Sequence, residues 1–132
     1  MGVCMPQAKT PEDVGRLIGQ TITSGDIDAA LSLYEPEATF AMPTGFGEGS
    51  VTGLDGLRGA LSGFLAMGPE LEVNAEKTLL SGDTALVIGN WTLKGRDAEG
   101  NDVDASGRYA DVVRRQPDGS WLFVIDNPNG SD

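Results

Sequence analysis

The chain has 132 residues, of which 39% are apolar, which is enough for one domain with a hydrophobic core and too little for two. Its net charge is −11 and it contains no histidine. Because nucleic acids and anionic membrane surfaces attract basic proteins, we expect neither as a partner.

Few residues bear on metals, disulfides or location. Cys4 is the only cysteine, so an internal disulfide is excluded. Histidine is absent and the acids do not cluster at ligand spacing, so we expect no metal and no cofactor. No segment approaches the roughly 18 apolar residues of a membrane span, and the N-terminus lacks the apolar run of a signal peptide. We therefore expect a cytoplasmic location.

The chain begins with a predicted disordered tail, residues 1–9, ahead of one domain over residues 10–128. A first helix follows Thr10, since Pro11 suits the first helical position and Ser24-Gly25 forms a stop signal. Its apolar residues recur at helical spacing on one face: Val14, Leu17, Ile18 and Ile22.

Two more helices and a short strand are predicted before residue 66. The second helix begins with the segment DIDAALSLYEPEATF, residues 26–40, and is ended by Pro36, and the short strand is ATFAM. The third follows a glycine-rich loop, residues 43–53, and carries an apolar stripe: Leu54, Leu57, Leu61, Phe64 and Leu65.

From residue 70 the apolar period changes to two, which predicts an antiparallel meander of four strands. The four segments are ELEVNAEKTLL, TALVIGNWTLKG, VDASGRYADVVRR and SWLFVIDNP. The order predicts an α+β fold, with three N-terminal helices packed on a strongly curved antiparallel sheet.

Four segments, in this order and spacing, resemble the SnoaL-like branch of the nuclear-transport-factor-2-like superfamily, which includes the ketosteroid-isomerase-like proteins. They are SGDIDAALSLYEPEATF, GLDGLRGAL, GDTALVIGNWTLKG and GRYADVVRRQPDGSW. The resemblance covers about residues 10–128 and implies a cone-shaped, cystatin-like α+β barrel around a pocket, often dimeric through the outer sheet face. It implies no single activity, because the fold carries isomerases, dehydratases, epoxide hydrolases, cyclases and binding modules.

For two of these activities, this chain has only part of the set of catalytic residues that the family members carry. Where steroid isomerases carry a basic Asp and a helix Tyr, this chain has Met42 and Ile18, and only their strand aspartic acid has a match, Asp111. Where epoxide hydrolases carry an Arg and an Asp on a middle strand, this chain has Asn90 and Thr92, although Asp126 matches their last-strand Asp.

The hairpin around PDG, residues 117–119, fits two registers. A two-residue turn sets Asp111 opposite Asp126, whereas a three-residue turn with a bulge at Gly119 sets Asp126 opposite Ala110 and on the other face. The residues alone leave both open, and the resemblance favours the first. That register would place Trp121, Phe123 and Ile125 on an outer face, which we expect to form a homodimer interface.

If both aspartates face an apolar cavity, burial and repulsion raise the pKa of at least one. Asp111 and Asp126 are then candidate catalytic acid and base, although a purely structural role for both is equally compatible with the sequence. The other predicted pocket residues would contact a small, largely apolar oxygenated ligand: Ile18, Phe40, Met42, Phe46, Leu57, Leu61, Ile88, Asn90, Tyr109, Val113 and Val124.

The glycine-rich TGFGEGS, residues 44–50, lacks the lysine of a phosphate-binding loop. It is interpreted as a mobile lid with Phe46 as a plug. Three functions stay open from the sequence: a small-molecule binding domain, an acid/base enzyme of isomerase, dehydratase or polyketide-cyclase type, or an interaction or accessory domain with a filled cavity.

Overall fold

The computed structural model describes residues 6–130. In chain order the elements are α1 (Pro11–Ser24), α2 (Ile27–Leu31), β1 (Tyr34–Ala41), β2 (Ser50–Thr52), α3 (Leu54–Leu65), β3 (Glu70–Ser81), β4 (Thr84–Arg96), β5 (Asp102–Arg115) and β6 (Trp121–Asp126). This is the predicted α+β order, with the helices in the N-terminal half.

The six strands form one curled sheet in the order β2-β1-β6-β5-β4-β3. Two details of the predicted sheet are corrected. β1 and β6 pair in parallel, so the sheet is mixed, because β1 lies beside the last strand after the long excursion through α3 and the meander. Within residues 6–130 the sheet is open, with β2 and β3 at its edges, so it is not a closed barrel.

The first helix lies directly against β3. Val14, Ile18 and Ile22 are buried on its inward face. A Cβ at Gly15 would lie 2.9 Å from the Val73 side chain, and one at Gly19 would lie 2.9 Å from the Leu71 carbonyl oxygen. Glycine at both positions therefore allows the helix backbone to approach the sheet closely.

The concave face of the sheet carries the core. On β4 it is formed by odd-numbered residues, including the buried Val87, Trp91 and Leu93. On β6 it includes Trp121 and Phe123, which are 5% and 1% exposed. These two aromatics were expected on the outer face. They face inward because the hairpin changes register, as described below.

Ordered structure begins before the predicted domain start at residue 10. Ala8 is 1% exposed, and its carbonyl oxygen accepts a hydrogen bond of 2.9 Å from the Trp121 N–H. Most of the predicted tail, with Cys4, lies outside the described residues. In the part of the chain that the structure describes, no helix has the length and apolarity to cross a membrane.

Candidate functional site

A cavity lies between the helices and the concave face of the sheet. The space between its walls, open mouth included, is about 660 Å³, and the space that the centre of a water molecule can reach is about 80 Å³. Its lining is Ile18, Ile22, Tyr34, Phe40, Pro43, Phe46, Leu61, Phe64, Leu71, Val73, Trp91, Leu93, Tyr109, Asp111, Phe123, Asp126 and Pro128. The wall is apolar except for two carboxyl groups, two phenols and one indole.

The side chains of Asp111 and Asp126 meet in this wall, close enough for a proton on one carboxyl to bond to the other. Asp111 is 4% exposed, and its Oδ1 accepts a hydrogen bond of 2.8 Å from the Asn127 N–H. The Tyr34 hydroxyl donates to Asp126 Oδ2 at 2.5 Å. Tyr34, Asp126 and Asp111 thus form a chain of hydrogen bonds that crosses β1, β6 and β5.

The β5–β6 hairpin combines the two registers that the sequence leaves open. Near the turn Arg115 pairs with Trp121, which is the register of a three-residue turn. The pairing then shifts between Val113 and Val112, which pairs with Ile125. Val124 is the extra residue of this β-bulge, and beyond it Asp111 and Asp126 lie opposite each other. The bulge is therefore the reason that both aromatics and the aspartate of β6 face inward.

Burial separates the acidities of the two aspartates. It raises the pKa of Asp111 well above its usual range, and the Asp126 charge raises it further. Burial raises the pKa of Asp126 to about 6, although hydrogen bonds from Tyr34 and Asp111 act in the opposite direction. The two carboxyls therefore favour sharing one proton, and of the two Asp111 has the more strongly raised pKa.

Tyr109 is a further polar group of the wall, and it lies over Gly89. A Cβ at Gly89 would lie 2.7 Å from the Tyr109 ring and 2.0 Å from the Asn74 carbonyl oxygen, so only glycine fits there. Tyr109 is 4% exposed, and within residues 6–130 its hydroxyl makes no hydrogen bond to protein. Burial, followed by the Asp111 charge, raises its pKa, so the phenol stays protonated.

The glycine-rich loop and the C-terminal segment both contribute to the cavity wall, through Pro43, Phe46 and Pro128. Phe46 packs on Phe64 with ring centroids 5.3 Å apart. Asn129 holds the loop, since its Oδ1 accepts from the Thr44 N–H at 2.9 Å and its Nδ2 donates to the Met42 carbonyl at 3.0 Å. Asn129 thus attaches the start of the loop to the C-terminal segment.

The structure brings seven of the sequence-predicted site residues together around this cavity: Ile18, Phe40, Phe46, Leu61, Tyr109, Asp111 and Asp126. Two further predicted residues, Leu57 and Val113, are buried in the core but do not line the cavity. Met42 packs against the loop, where it lies within 3.4 Å of a Cβ placed at Gly47.

Three predicted pocket residues lie elsewhere: Ile88, Asn90 and Val124. On β4 the even-numbered side chains point away from the cavity, and Asn90 donates to Glu76 at 3.3 Å and accepts from Asn74 at 3.4 Å. Val124 is displaced by the bulge. The expected role of Asn90 in orienting a ligand is therefore corrected.

Several wall residues were not expected from the sequence, including Tyr34, Trp91 and Phe123. Trp91 lies on the same strand as Asn90 but on the opposite face, and its Nε1–H donates to the Pro128 carbonyl at 2.7 Å. The large apolar residues at the odd-numbered positions of β4 could have predicted that this face of the strand lies toward the core, because the more apolar face of a half-buried strand is the buried one.

The SnoaL-like domain family matches residues 14–124. This chain belongs to the SnoaL-like family. It shares the nuclear-transport-factor-2-like fold that its sequence resembles, and none of the curated proteins matches it.

Three solved structures illustrate the relationship. A protein from Novosphingobium aromaticivorans, provisionally named an aromatic ring hydroxylase, is 26% identical with a TM-score of 0.76, over 86% of this chain and 81% of that one. A ketosteroid isomerase-like protein from Erwinia carotovora atroseptica is 18% identical with a TM-score of 0.75, over 87% and 88%. A second Novosphingobium aromaticivorans protein, described as nuclear-transport-factor-2-like with a cystatin-like fold, is 19% identical with a TM-score of 0.70, over 87% and 75%. The last two likenesses concern the fold alone.

Proposed function

We propose that this SnoaL-like domain binds a small, largely apolar, oxygenated molecule in the cavity. The observation that carries the proposal is an apolar cavity whose wall holds a proton-sharing aspartate pair. Ligand sites are commonly of this kind: apolar and concave, with few polar groups that orient the ligand. Asp126 offers an acceptor to a ligand hydroxyl, and the Tyr109 hydroxyl offers either a donor or an acceptor.

Benzyl alcohol is a suitable first probe, because it combines one ring with one hydroxyl. We expect it to raise the melting temperature of the protein and to shift the NMR signals of Trp91 and Asn127. Leu61→Phe, which fills the cavity, should abolish both effects. Leu54→Phe is the matched control on the same helix, because Leu54 is 38% exposed and does not line the cavity. Equal responses of the two variants would contradict binding in the cavity.

A second candidate function is acid/base catalysis of the isomerase, dehydratase or cyclase type. The unequal acidity of Asp111 and Asp126 favours it, because one group can donate a proton while the other accepts one. Asp111→Asn and Asp126→Asn should then abolish turnover of a substrate while the fold and the binding remain. A ligand that binds both variants and is never turned over by the wild type would support the binding function alone.

We also propose a homodimer through the outer face of the sheet. An apolar row crosses four strands there, because Leu79 pairs with Leu86, Leu86 with Val112, and Val112 with Ile125. Leu79 and Ile125 are 49% and 42% exposed, and apolar rows of this length are usually covered. Light scattering should show a dimer that Ile125→Glu dissociates and that Leu54→Glu, on an exposed helix position, leaves intact.

A further inference from the structure

The cavity wall has acidic groups but no basic ones. Among the residues described, those that line it include Asp111 and Asp126 but neither lysine nor arginine, and the chain has no histidine. The arginines of β5 are engaged at the surface, where Arg108 pairs with Glu76 at 3.0 Å and Arg115 pairs with Asp83. A ligand in the cavity therefore meets negative charge with no protein cation to balance it.

The rest of the wall is unusually rich in aromatic rings. Phe40 and Phe64 meet edge to face with centroids 6.1 Å apart, and Tyr34 lies 4.8 Å from Phe123. Trp91 and Tyr109 contribute two further rings. The face of an aromatic ring attracts a cation within about 6 Å, and the attraction is strongest where water is excluded.

Tyr109 provides a polar group that a ligand can bond to. The residue lines the cavity and is 4% exposed, and no protein group among residues 6–130 bonds to its hydroxyl. No buried side-chain oxygen or nitrogen in the described residues lacks a partner, so this hydroxyl is accessible from the cavity rather than sealed. A ligand in the cavity can therefore bond to it without displacing a protein partner.

We propose that the cavity selects lipophilic ammonium ions, with a single ring or a body of similar size, over neutral and anionic molecules of the same shape. The ammonium would donate to the Asp126 carboxylate and lie against the aromatic faces, with the Tyr109 hydroxyl as a second acceptor. The inference rests on the proposed function, because it adds an ammonium group to the small, largely apolar, oxygenated ligand proposed for that same cavity.

The electrostatics of burial determine this preference. A buried carboxylate without a counter-ion has lost most of its hydration, so a bound cation restores interaction energy that a neutral alcohol restores only in part. A carboxylate ligand would add a second negative charge to the same apolar space. The net charge of −11 further raises the local concentration of cations.

The test compares benzylamine, benzyl alcohol and benzoate, which share one ring and differ in charge. Their binding to the full chain at neutral pH would be followed by NMR titration. We expect benzylamine to bind at least about tenfold more tightly than benzyl alcohol, as one charged hydrogen bond and cation–π contacts allow, and benzoate not to bind. Equal or tighter binding of the alcohol would overturn the inference and leave the proposed function standing. Failure of both the amine and the alcohol to bind would overturn both.

Two isosteric variants test whether the carboxylate charge is the cause. Asp111→Asn removes the acid but keeps the Asp126 carboxylate, so benzylamine should keep its advantage. In the double variant Asp111→Asn, Asp126→Asn the charge is gone and the tenfold advantage should disappear. If the double variant folds and still prefers the amine, the inference is wrong. If it does not fold, the wild-type series decides alone.

Discussion

Asp111 and Asp126 lie opposite each other inside the cavity because a single extra residue on β6, Val124, shifts the pairing of β5 with β6 by one residue before the two aspartates are reached. The shift buries the large aromatics of β6 near the turn and turns its aspartate inward near the end. Asp126, which would otherwise face away from the cavity, is thereby placed beside Asp111 in an apolar wall, where the two share a proton.

Because the two aspartates share a proton in the folded state, we expect their contribution to stability to fall as the pH rises. The folded-state pKa of Asp126 is about 6 and that of Asp111 is higher, so between pH ~4 and these values the folded state binds more protons than the unfolded state. The Asp126 contribution to the free energy of unfolding is therefore fully present at low pH and is lost as pH rises through about 6, and the Asp111 contribution is lost over a range that extends to higher pH. Relative to the double Asp→Asn variant, the wild type should lose about 2–3 kcal/mol from Asp126 between pH 4 and pH 7, and Asp111 adds to this loss.

Urea unfolding across this range would measure the difference. The surface carboxylates titrate equally in both proteins, so the subtraction isolates the pair. Parallel stability curves for wild type and double variant would show that neither aspartate has a raised pKa.

Asparagine should replace Asp111 better than alanine does. The asparagine Oδ1 can accept from the Asn127 N–H, and its amide can donate to Asp126, as the neutral acid does. Alanine leaves both partners unsatisfied, so Asp111→Ala should lower the free energy of unfolding by about 1–3 kcal/mol relative to Asp111→Asn. Chemical denaturation at neutral pH measures this, and equal stability of the two variants would argue against the hydrogen-bond chain.

The Tyr34 hydroxyl should matter most when Asp126 is ionised. Its hydrogen bond lowers the pKa of Asp126, so Tyr34→Phe should raise that pKa above about 6. The loss of stability should be about 1.5–3 kcal/mol at neutral pH and smaller below pH 6, where the carboxyl is protonated. Tyr109→Phe is the control, since it removes a buried phenol that makes no bond to Asp126. A carboxyl NMR titration that gives the same Asp126 pKa in Tyr34→Phe as in wild type would contradict this role.

Gly89→Ala should be among the most destabilising single changes in the domain. The added methyl group would lie 2.0 Å from the Asn74 carbonyl oxygen and 2.7 Å from the Tyr109 ring, and neither the strand backbone nor a buried ring can withdraw cheaply. We expect a loss of at least about 3 kcal/mol in the free energy of unfolding.

Gly59→Ala on α3 is the matched change, because nothing lies within 4 Å of a Cβ there. It should stabilise the protein by about 0.5–1 kcal/mol, as alanine does in an open helix position. Thermal or urea unfolding of both variants compares them directly, and a tolerated Gly89→Ala would mean that Tyr109 does not lie over β4 as described.

The element order and the family were readable from the sequence, since both depend on local patterns. The apolar spacing of Val14, Ile18 and Ile22 predicts α1, and alternation along the later segments predicts the four meander strands. A period of two reports which residues share a face of a strand. It does not report which face the helices cover, and Asn90 was assigned to the wrong side for this reason.

The tertiary structure decided what the local pattern leaves open. The parallel pairing of β1 with β6 joins segments more than eighty residues apart, and Tyr34 reaches Asp126 only through it. The bulge at Val124 is favoured by the burial of Phe123 and Trp121 under the helices. This burial depends on residues far away in the chain, so it could not be predicted from the hairpin sequence alone. Residue type determined that two aspartates were available, and long-range packing determined that they meet.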